Sequence, residues 1–444
     1  MPHAILRNIT QKNPCMVRGE GIYLYDSEGR RYIDGASGSA LVCSIGHGVK
    51  EVAAVMTPQA GELACNPFHC SHSQAYEEMA DRLIRLAPKG MAHVFGVSSG
   101  SEATENAVKF ARQYQVVRGV PSKYVIVSRW QSYHGNTLGA LACSGYTARR
   151  RKHAPYLQAV THIPPAYCYR CYFEKTYPDC GLRCARALEN AILQEGPENV
   201  SAFIAEPVVG AALGGVPAPP GYFQEIRAIC DRYDVLFIAD EVMCGLGRTG
   251  ANFAIEHWSV APDMIATGKG LGSGYFPVAA CTISERIMDT MQARSAGFEG
   301  VHTHCGHVLA SRVAAAVLDY MARNELAENS KKQGELLLQG LREIRDSQAC
   351  VGDVRGLGLM CGVEFVQDKA TREPFPPGMK VAERVMDACL DRGLIVFPGH
   401  GTVDGTAGDH LLLGPPLAIT AGEVKQMLAI LREGIAAVQK TIAA

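Results

Sequence analysis

The sequence predicts an α/β protein with a large central domain on a mostly parallel sheet. A smaller α+β domain is contributed by both termini. Three observations carry this. The middle of the chain alternates short β-rich runs with helical stretches, the pattern of a parallel sheet covered by helices. The length of 444 residues at 47% apolar content supplies a large core and more than one domain. The two ends depart from the alternation of the middle. We expect residues 1–55 and 320–444 to form the smaller domain and residues 56–319 the larger one.

Taken in order, residues 20–34 read as an antiparallel hairpin turning at Ser27–Gly29. Strands are predicted at Ala92–Val97, Tyr124–Ser128, Val200–Ala205, Val235–Ala239, Met264–Thr267 and Val278–Ile283. Their β-branched and aromatic content, with no polar alternation, fits strands buried on both faces. Helices are predicted at Glu102–Arg118, Cys184–Gln194, Phe223–Tyr233 and Val308–Arg323. Beyond Asn329 the pattern is long and amphipathic, followed by Leu359–Phe365, a helix over Met379–Arg392 and a last helix from Ala421.

Composition excludes several classes. Lys plus Arg is 43 and Asp plus Glu is 44, so the basic excess of a nucleic-acid binder is absent. Low charge and high apolar content argue against disorder. No run reaches the roughly 18 apolar residues of a membrane span, and no secretory signal pattern opens the chain. The expected location is the cytoplasm. The 16 cysteines are then expected to be reduced, with Cys43, Cys143 and Cys281 as small core residues.

In open α/β sheets, ligands bind outside the carboxyl ends of the strands. After Ala92–Val97 comes Ser98-Ser99-Gly100-Ser101-Glu102, then a helix. Small residues there expose N–H groups for a phosphate, although a Ser cap with an acidic first turn stabilises any helix. The stretch is neither a P-loop nor a G-x-G-x-x-G turn. Val235–Ala239 ends in Asp240-Glu241 and Val200–Ala205 in Glu206-Pro207, two acids at one edge. Tyr124–Ser128 leads to Tyr133-His134-Gly135, where an aromatic ring can stack on a flat cofactor or simply pack. Met264–Thr267 leads to Gly268-Lys269-Gly270. Glycines leave that amine reachable, as a Schiff-base lysine requires. A phosphate turn, an aromatic plate, an acid for a ring nitrogen and a nucleophilic lysine together equip a site for pyridoxal 5'-phosphate.

These residues resemble the class III aminotransferases of the fold-type I pyridoxal-phosphate group, and most closely the ω-amino acid:pyruvate branch. The likeness runs from about Gly19 to the C-terminus. Its most specific part is Asp240-Glu241-Val242, then Gly245-Leu-Gly-Arg248-Thr-Gly250, then Gly268-Lys269-Gly270. The resemblance implies that Lys269 holds the cofactor as an internal aldimine and then shuttles the substrate proton. It implies that Asp240 pairs with the ring nitrogen, that Tyr133 and Val242 cover the ring faces, and that Glu206 stands near ring and substrate. Ser99, Gly100, Ser101 and His134 complete the implied cofactor set, with Thr303 reaching the partner's phosphate in a homodimer or higher homo-oligomer. The implied reaction is ping-pong transfer from an amine or ω-amino acid to a keto acid, with pyruvate the acceptor of that branch. Decarboxylases, racemases and lyases of the same fold share these cofactor residues and stand as the alternative. An idle scaffold on this fold would have no reason to keep Lys269, Asp240 and Tyr133.

The chain departs from the family where substrate carboxylates are gripped by arginine. Asn136, Gly405 and Leu412 stand at those three positions, and Leu41 replaces a pocket tryptophan. Either another cation takes that role, such as Arg170 or one of the Arg149–Lys152 run, or the donor carries its anion far from the reacting carbon or lacks one. Such a run is ordinarily a solvated helix face. The second departure is Cys168, Cys171, Cys180 and Cys184, spaced C-x2-C-x8-C-x3-C. Four thiols at this spacing are a candidate zinc site, against a simple cluster of reduced thiols.

Overall fold

The computed structural model describes residue 5 and residues 13–442, so the outermost ends of the two terminal segments lie outside the described residues. At its centre is a 7-stranded sheet in the order Met91–Val97, Ala279–Ser284, Met264–Thr267, Leu236–Asp240, Val200–Ala205, Val125–Arg129, Thr161–Ile163. Each of the six strands expected in this region appears within one or two residues. The sheet is mixed: Ala279–Ser284 runs antiparallel to both neighbours, while the others share one direction. The edge strand Thr161–Ile163 escapes a sequence reading because three residues are too few to show a period.

The two faces of the sheet belong to different hydrophobic clusters. Ala202, Ile204, Leu236 and Ile238 pack with Ala103, Ala107 and Phe110 of the helix Gly100–Val117. The alternate residues Phe203, Ala205, Phe237 and Ala239 pack with Leu188 and Ile192 of Arg183–Glu195 and Ile226 of Tyr222–Arg232. This is why the central strands read as unbroken apolar runs. Phe223 lies 5.7 Å from Phe237, which lies 6.2 Å from Phe203, all fully buried. Each such side chain contributes about 1.5–3 kcal/mol of burial.

The chain ends meet beside this sheet. The strands Met16–Glu20, Tyr23–Asp26 and Arg31–Asp34 form the expected hairpin region, which Leu394–Ile395 joins in parallel. A second sheet orders Val351–Leu357, Met360–Phe365, Asp409–Leu413 and Phe397–His400. Helices Leu326–Ser347 and Ala421–Ile442 cover this part. Arg248 ties the pieces together from within. Its guanidinium donates to Leu359 O at 3.1 Å, Pro415 O at 2.6 Å, Ser37 Oγ at 3.3 Å and Ser44 Oγ at 3.4 Å. Among the described residues no helix is long and apolar enough to cross a membrane.

Candidate active site

Three adjacent parallel strands end on the same edge. Glu206 follows Val200–Ala205, Asp240 closes Leu236–Asp240, and Lys269 follows Met264–Thr267 after one glycine. The helix Gly100–Val117 starts at this edge because Met91–Val97 runs the same way. Together they border a cavity of about 180 Å³ lined by Gly100, Ser101, Tyr133, His134, Gly135, Glu206, Ala211, Asp240, Val242, Met243 and Lys269. The sheet thus gathers most of the residues that the sequence singled out one strand end at a time.

Asp240 is fixed on both oxygens. Its Oδ2 lies 2.7 Å from His134 Nδ1, and its Oδ1 accepts the Val242 N–H at 3.0 Å. Glu206 accepts the Tyr133 N–H at 2.9 Å and the Gly210 N–H at 3.0 Å, while burial raises its pKa. Arg129 donates to the Glu206 carbonyl at 2.5 Å and anchors the turn from below. Lys269 sits at φ 42°, a left-handed conformation that costs a side-chain-bearing residue on the order of 1–3 kcal/mol. Its amine has no hydrogen bond or ion pair among the described residues. Burial lowers its pKa, with Asp240 and Glu206 opposing. A strained backbone and an unpaired amine beside two carboxylates make Lys269 a candidate for chemistry.

The opposite rim is made by close packing. A Cβ on Gly100 would lie 2.6 Å from Val242 Cγ1, and one on Gly268 would lie 3.3 Å from the same atom. Glycine at both places lets the helix start, Val242 and the lysine turn approach each other. Ser99 caps the helix, accepting the Glu102 N–H at 3.3 Å, and Glu102 Oε2 accepts the Ser98 N–H at 2.8 Å. The backbone N–H groups of Gly100 and Ser101 belong to the first turn of an 18-residue helix, where an anion is favoured. These residues fit pyridoxal 5'-phosphate. A helix start faces the cavity for the phosphate, and Tyr133 and Val242 offer flat and apolar cover for a ring. Asp240 keeps capacity for a cationic nitrogen, because a carboxylate has about four acceptor sites. The free amine matches the aldehyde.

Other expected residues lie elsewhere. Ser99 acts on the helix and does not line the cavity. Thr303 is exposed on the turn before helix Val308–Arg323 and does not line the cavity of its own chain. Leu412 is fully buried inside the strand Asp409–Leu413, and Leu41 is buried with its side chain pressed where a Cβ on Gly414 would be. Asn136 is exposed, its N–H donating to Ser101 Oγ at 2.9 Å. Gly405 has φ 84°, and a Cβ there would lie 2.3 Å from Thr147 Oγ1. A longer side chain at 405 has no room unless the short helix Thr147–Arg150 moves.

The candidate cations separate clearly. Arg170 is committed to Glu364 at 2.5 Å and to the Arg372 carbonyl at 2.9 Å. Arg150 turns inward to the carbonyls of Leu141, Ala142 and Ser144 at 3.0, 2.6 and 2.6 Å, which corrects the picture of the whole run as a solvated face. Arg149 lies over the Tyr133 ring at 5.8 Å and the Tyr146 ring at 6.0 Å. The four cysteines Cys168, Cys171, Cys180 and Cys184 line one small pocket with Tyr167, Phe173 and Pro219, and none is in a disulfide. Burial and the neighbouring thiols raise the Cys184 pKa to about 11. For the candidate zinc site weighed against reduced thiols, no group of three or more His, Cys, Asp or Glu side chains among the described residues is arranged to hold a metal ion. Pairs along the chain bring thiols near each other, but tetrahedral coordination also fixes where each sulfur points.

A larger cleft of about 830 Å³ lies between residues 246–257 and helix Leu326–Ser347. Its polar groups include Glu256, which caps a turn at Phe253, and His257, bonded to Thr249. Size therefore does not decide; the smaller cavity holds the reactive set. Sequence reading passed over Ala211 and Met243 in the cavity wall, and the Arg129 contact to Glu206. The run Gly210-Ala-Ala-Leu-Gly214-Gly215 was the available signal, since Gly214 and Gly215 both have positive φ.

Comparison with known proteins agrees with this geometry. The family described as aminotransferase class-III matches residues 6–435. The chain is 37% identical over 440 residues to the uncharacterized aminotransferase YodT of Bacillus subtilis, covering 99% of each. It is 33% identical over 438 residues to the putrescine–pyruvate aminotransferase of Pseudomonas aeruginosa, covering 97% of this chain and 92% of that one. A thermostable (S)-enantioselective omega-transaminase from Thermomicrobium roseum superposes with a TM-score of 0.91 at 34% identity, over 98% of this chain and 96% of that one. Fold and cavity therefore define a pyridoxal-phosphate-dependent transferase of fold type I. Within that class, the chain belongs to the class III aminotransferases.

Proposed function

We propose that this aminotransferase takes its amino group from an amine or ω-amino acid and passes it, in a second half-reaction, to a keto acid such as pyruvate. The carrying observation is the Lys269 amine, free of any ion pair among the described residues and flanked by Asp240 and Glu206. Bound pyridoxal phosphate supplies the electron sink that makes a proton on the substrate carbon removable. The protein supplies the rest. The lowered pKa of Lys269 leaves more of it as a free base near neutral pH, so it can take that proton and return it. Asp240, oriented by His134, would hold positive charge on the ring nitrogen. Tyr133 would cover one ring face and Val242 the other, and Glu206 holds the Tyr133 backbone in place. The first turn of Gly100–Val117 would hold the phosphate through Gly100 and Ser101.

In this reading the working unit is a homodimer or a larger homo-oligomer, with Thr303 of each chain reaching the phosphate of the other. It works in the cytoplasm, in keeping with cysteines that are all free. The pyruvate-using relative named above supports pyruvate as acceptor. The test is the visible spectrum of purified protein mixed with single amine donors and no keto acid. Loss of the yellow band, its return with pyruvate, and no such cycle in Lys269→Ala support the reading. A yellow protein that no donor bleaches would replace it with a decarboxylase, racemase or lyase on the same fold.

A further inference from the structure

The cavity around Lys269 contains carboxylates but no guanidinium. Of the nearby cations, most are already committed. Arg129 is fully buried on the Glu206 carbonyl, Arg150 is bonded to three carbonyls, and Arg170 is paired with Glu364. Arg149 alone of this group makes no ion pair or hydrogen bond through its side chain among the described residues. It is exposed, and its guanidinium lies over the ring of Tyr133, which itself lines the cavity.

We propose that Arg149 is the specificity-determining residue for the amino donor, binding a carboxylate that the donor carries at the end remote from its reacting amine. This rests on the transamination reading above and names the substrate class for that site. The chemistry follows from the guanidinium, whose planar fork accepts a carboxylate on two parallel hydrogen bonds. The remoteness follows from position. Arg149 lies over the Tyr133 ring but does not line the cavity with Lys269, so its guanidinium stands outside that cavity. A carboxylate held by Arg149 therefore sits outside the cavity that holds Lys269, away from the carbon whose nitrogen reacts there.

The scaffold holds Arg149 in this place. The helix Thr147–Arg150 is anchored by Arg150 to the carbonyls at the end of helix Leu138–Cys143. Its Thr147 is packed against Gly405. The loop bearing Gly405 is tied down in turn: Gln131 Nε2 donates to Gly401 O at 2.7 Å, and Thr402 Oγ1 donates to Glu364 at 2.9 Å. The stacking of Arg149 on Tyr133 and Tyr146 limits the ways it can point, which lowers the entropy lost when an anion binds.

The experiment compares 4-aminobutyrate with butylamine, which has a methyl group in place of the carboxylate. Each is mixed with the holoenzyme and the rate of bleaching is followed against donor concentration, without keto acid. In Arg149→Gln we expect the second-order rate constant for 4-aminobutyrate to fall roughly 10- to 100-fold, through weaker saturation rather than a slower limiting rate. Butylamine should change less than about twofold, and Arg149→Lys should recover part of the loss. Equal loss with both donors would assign Arg149 to the folding of Tyr133 and overturn the proposal. So would an unchanged rate with 4-aminobutyrate. Wild-type enzyme bleached by butylamine but not by 4-aminobutyrate would also overturn it while leaving transamination intact. Wild-type enzyme bleached by neither, nor by any other amine, would overturn the function reading and this proposal with it.

Discussion

His134 Nδ1 stands 2.7 Å from Asp240 Oδ2, and both side chains are buried. The two residues come from different strand ends, and nothing else among the described residues partners His134 Nε2. The pair fixes the plane of the Asp240 carboxylate, whose other oxygen is held by the Val242 N–H. If the carboxylate stabilises a cationic ring nitrogen, Asp240→Asn should lower kcat/KM on the order of 10²–10³-fold in folded protein. His134→Phe should cost less, about tenfold, because the charge stays and only its orientation loosens. Steady-state kinetics with a circular dichroism check on both variants would measure this. Equal activity of Asp240→Asn and wild type would remove Asp240 from the chemistry.

Gly100 is required by its neighbour. A methyl group there would stand 2.6 Å from Val242 Cγ1. Gly100→Ala should therefore destabilise the protein by about 1–3 kcal/mol and weaken retention of pyridoxal phosphate. Adding Val242→Ala should relieve the clash, so that the double variant melts above Gly100→Ala alone. Thermal denaturation of the four proteins tests the coupling. Simple additivity of the two changes would show that the contact is not the cause.

Arg248, just past the strand Leu236–Asp240, ties together segments from both chain ends. Burial pulls its pKa down to about 9, yet it still donates to two buried carbonyls and two hydroxyls. Arg248→Met keeps bulk but leaves Leu359 O and Pro415 O without that donor. We expect a loss of about 3–5 kcal/mol in urea unfolding. A loss below about 1 kcal/mol would mean that water or backbone movement replaces the tie.

His400 gives a pH signature. Its ring bonds Asp409 at 2.7 Å and Glu383 at 2.7 Å, and these two hydrogen bonds raise its pKa to about 9. A histidine with a raised folded pKa contributes stability in full below its ordinary value near 6.5. That contribution fades as pH rises and is gone above about 9. The Tm should accordingly fall between pH 6.5 and 9, and His400→Gln should flatten that fall. A Tm profile identical in the two proteins would assign the slope to other groups.

The chemistry of this protein is largely legible in its sequence. Strands such as Val200–Ala205 and Leu236–Asp240 are buried on both faces, so they are written as mainly apolar runs, and the charged residue at or just past the end of each stands out. Glu206, Asp240 and Lys269 are such residues, and the parallel direction of their strands brings them to one edge. Gly268 and Gly270 mark the lysine by leaving it uncovered. Local pattern and position along a strand suffice for these inferences.

What the sequence could not fix depends on neighbours far apart in the chain. Whether Arg149, Arg150 or Arg170 is free is decided by the carbonyls after Leu138–Cys143 and by Glu364, which only the packed structure brings to them. The same holds for Leu412, buried between paired strands, and for Gly405, whose lack of a side chain answers to Thr147. The spacing of Cys168, Cys171, Cys180 and Cys184 predicted that the thiols could meet, and they do line one pocket. Among the described residues they still do not form a group arranged to hold a metal ion. Sequence determines which groups reach a strand end, because that is local and periodic. Tertiary structure decides which of them are left unpaired, because pairing is settled by packing between distant elements.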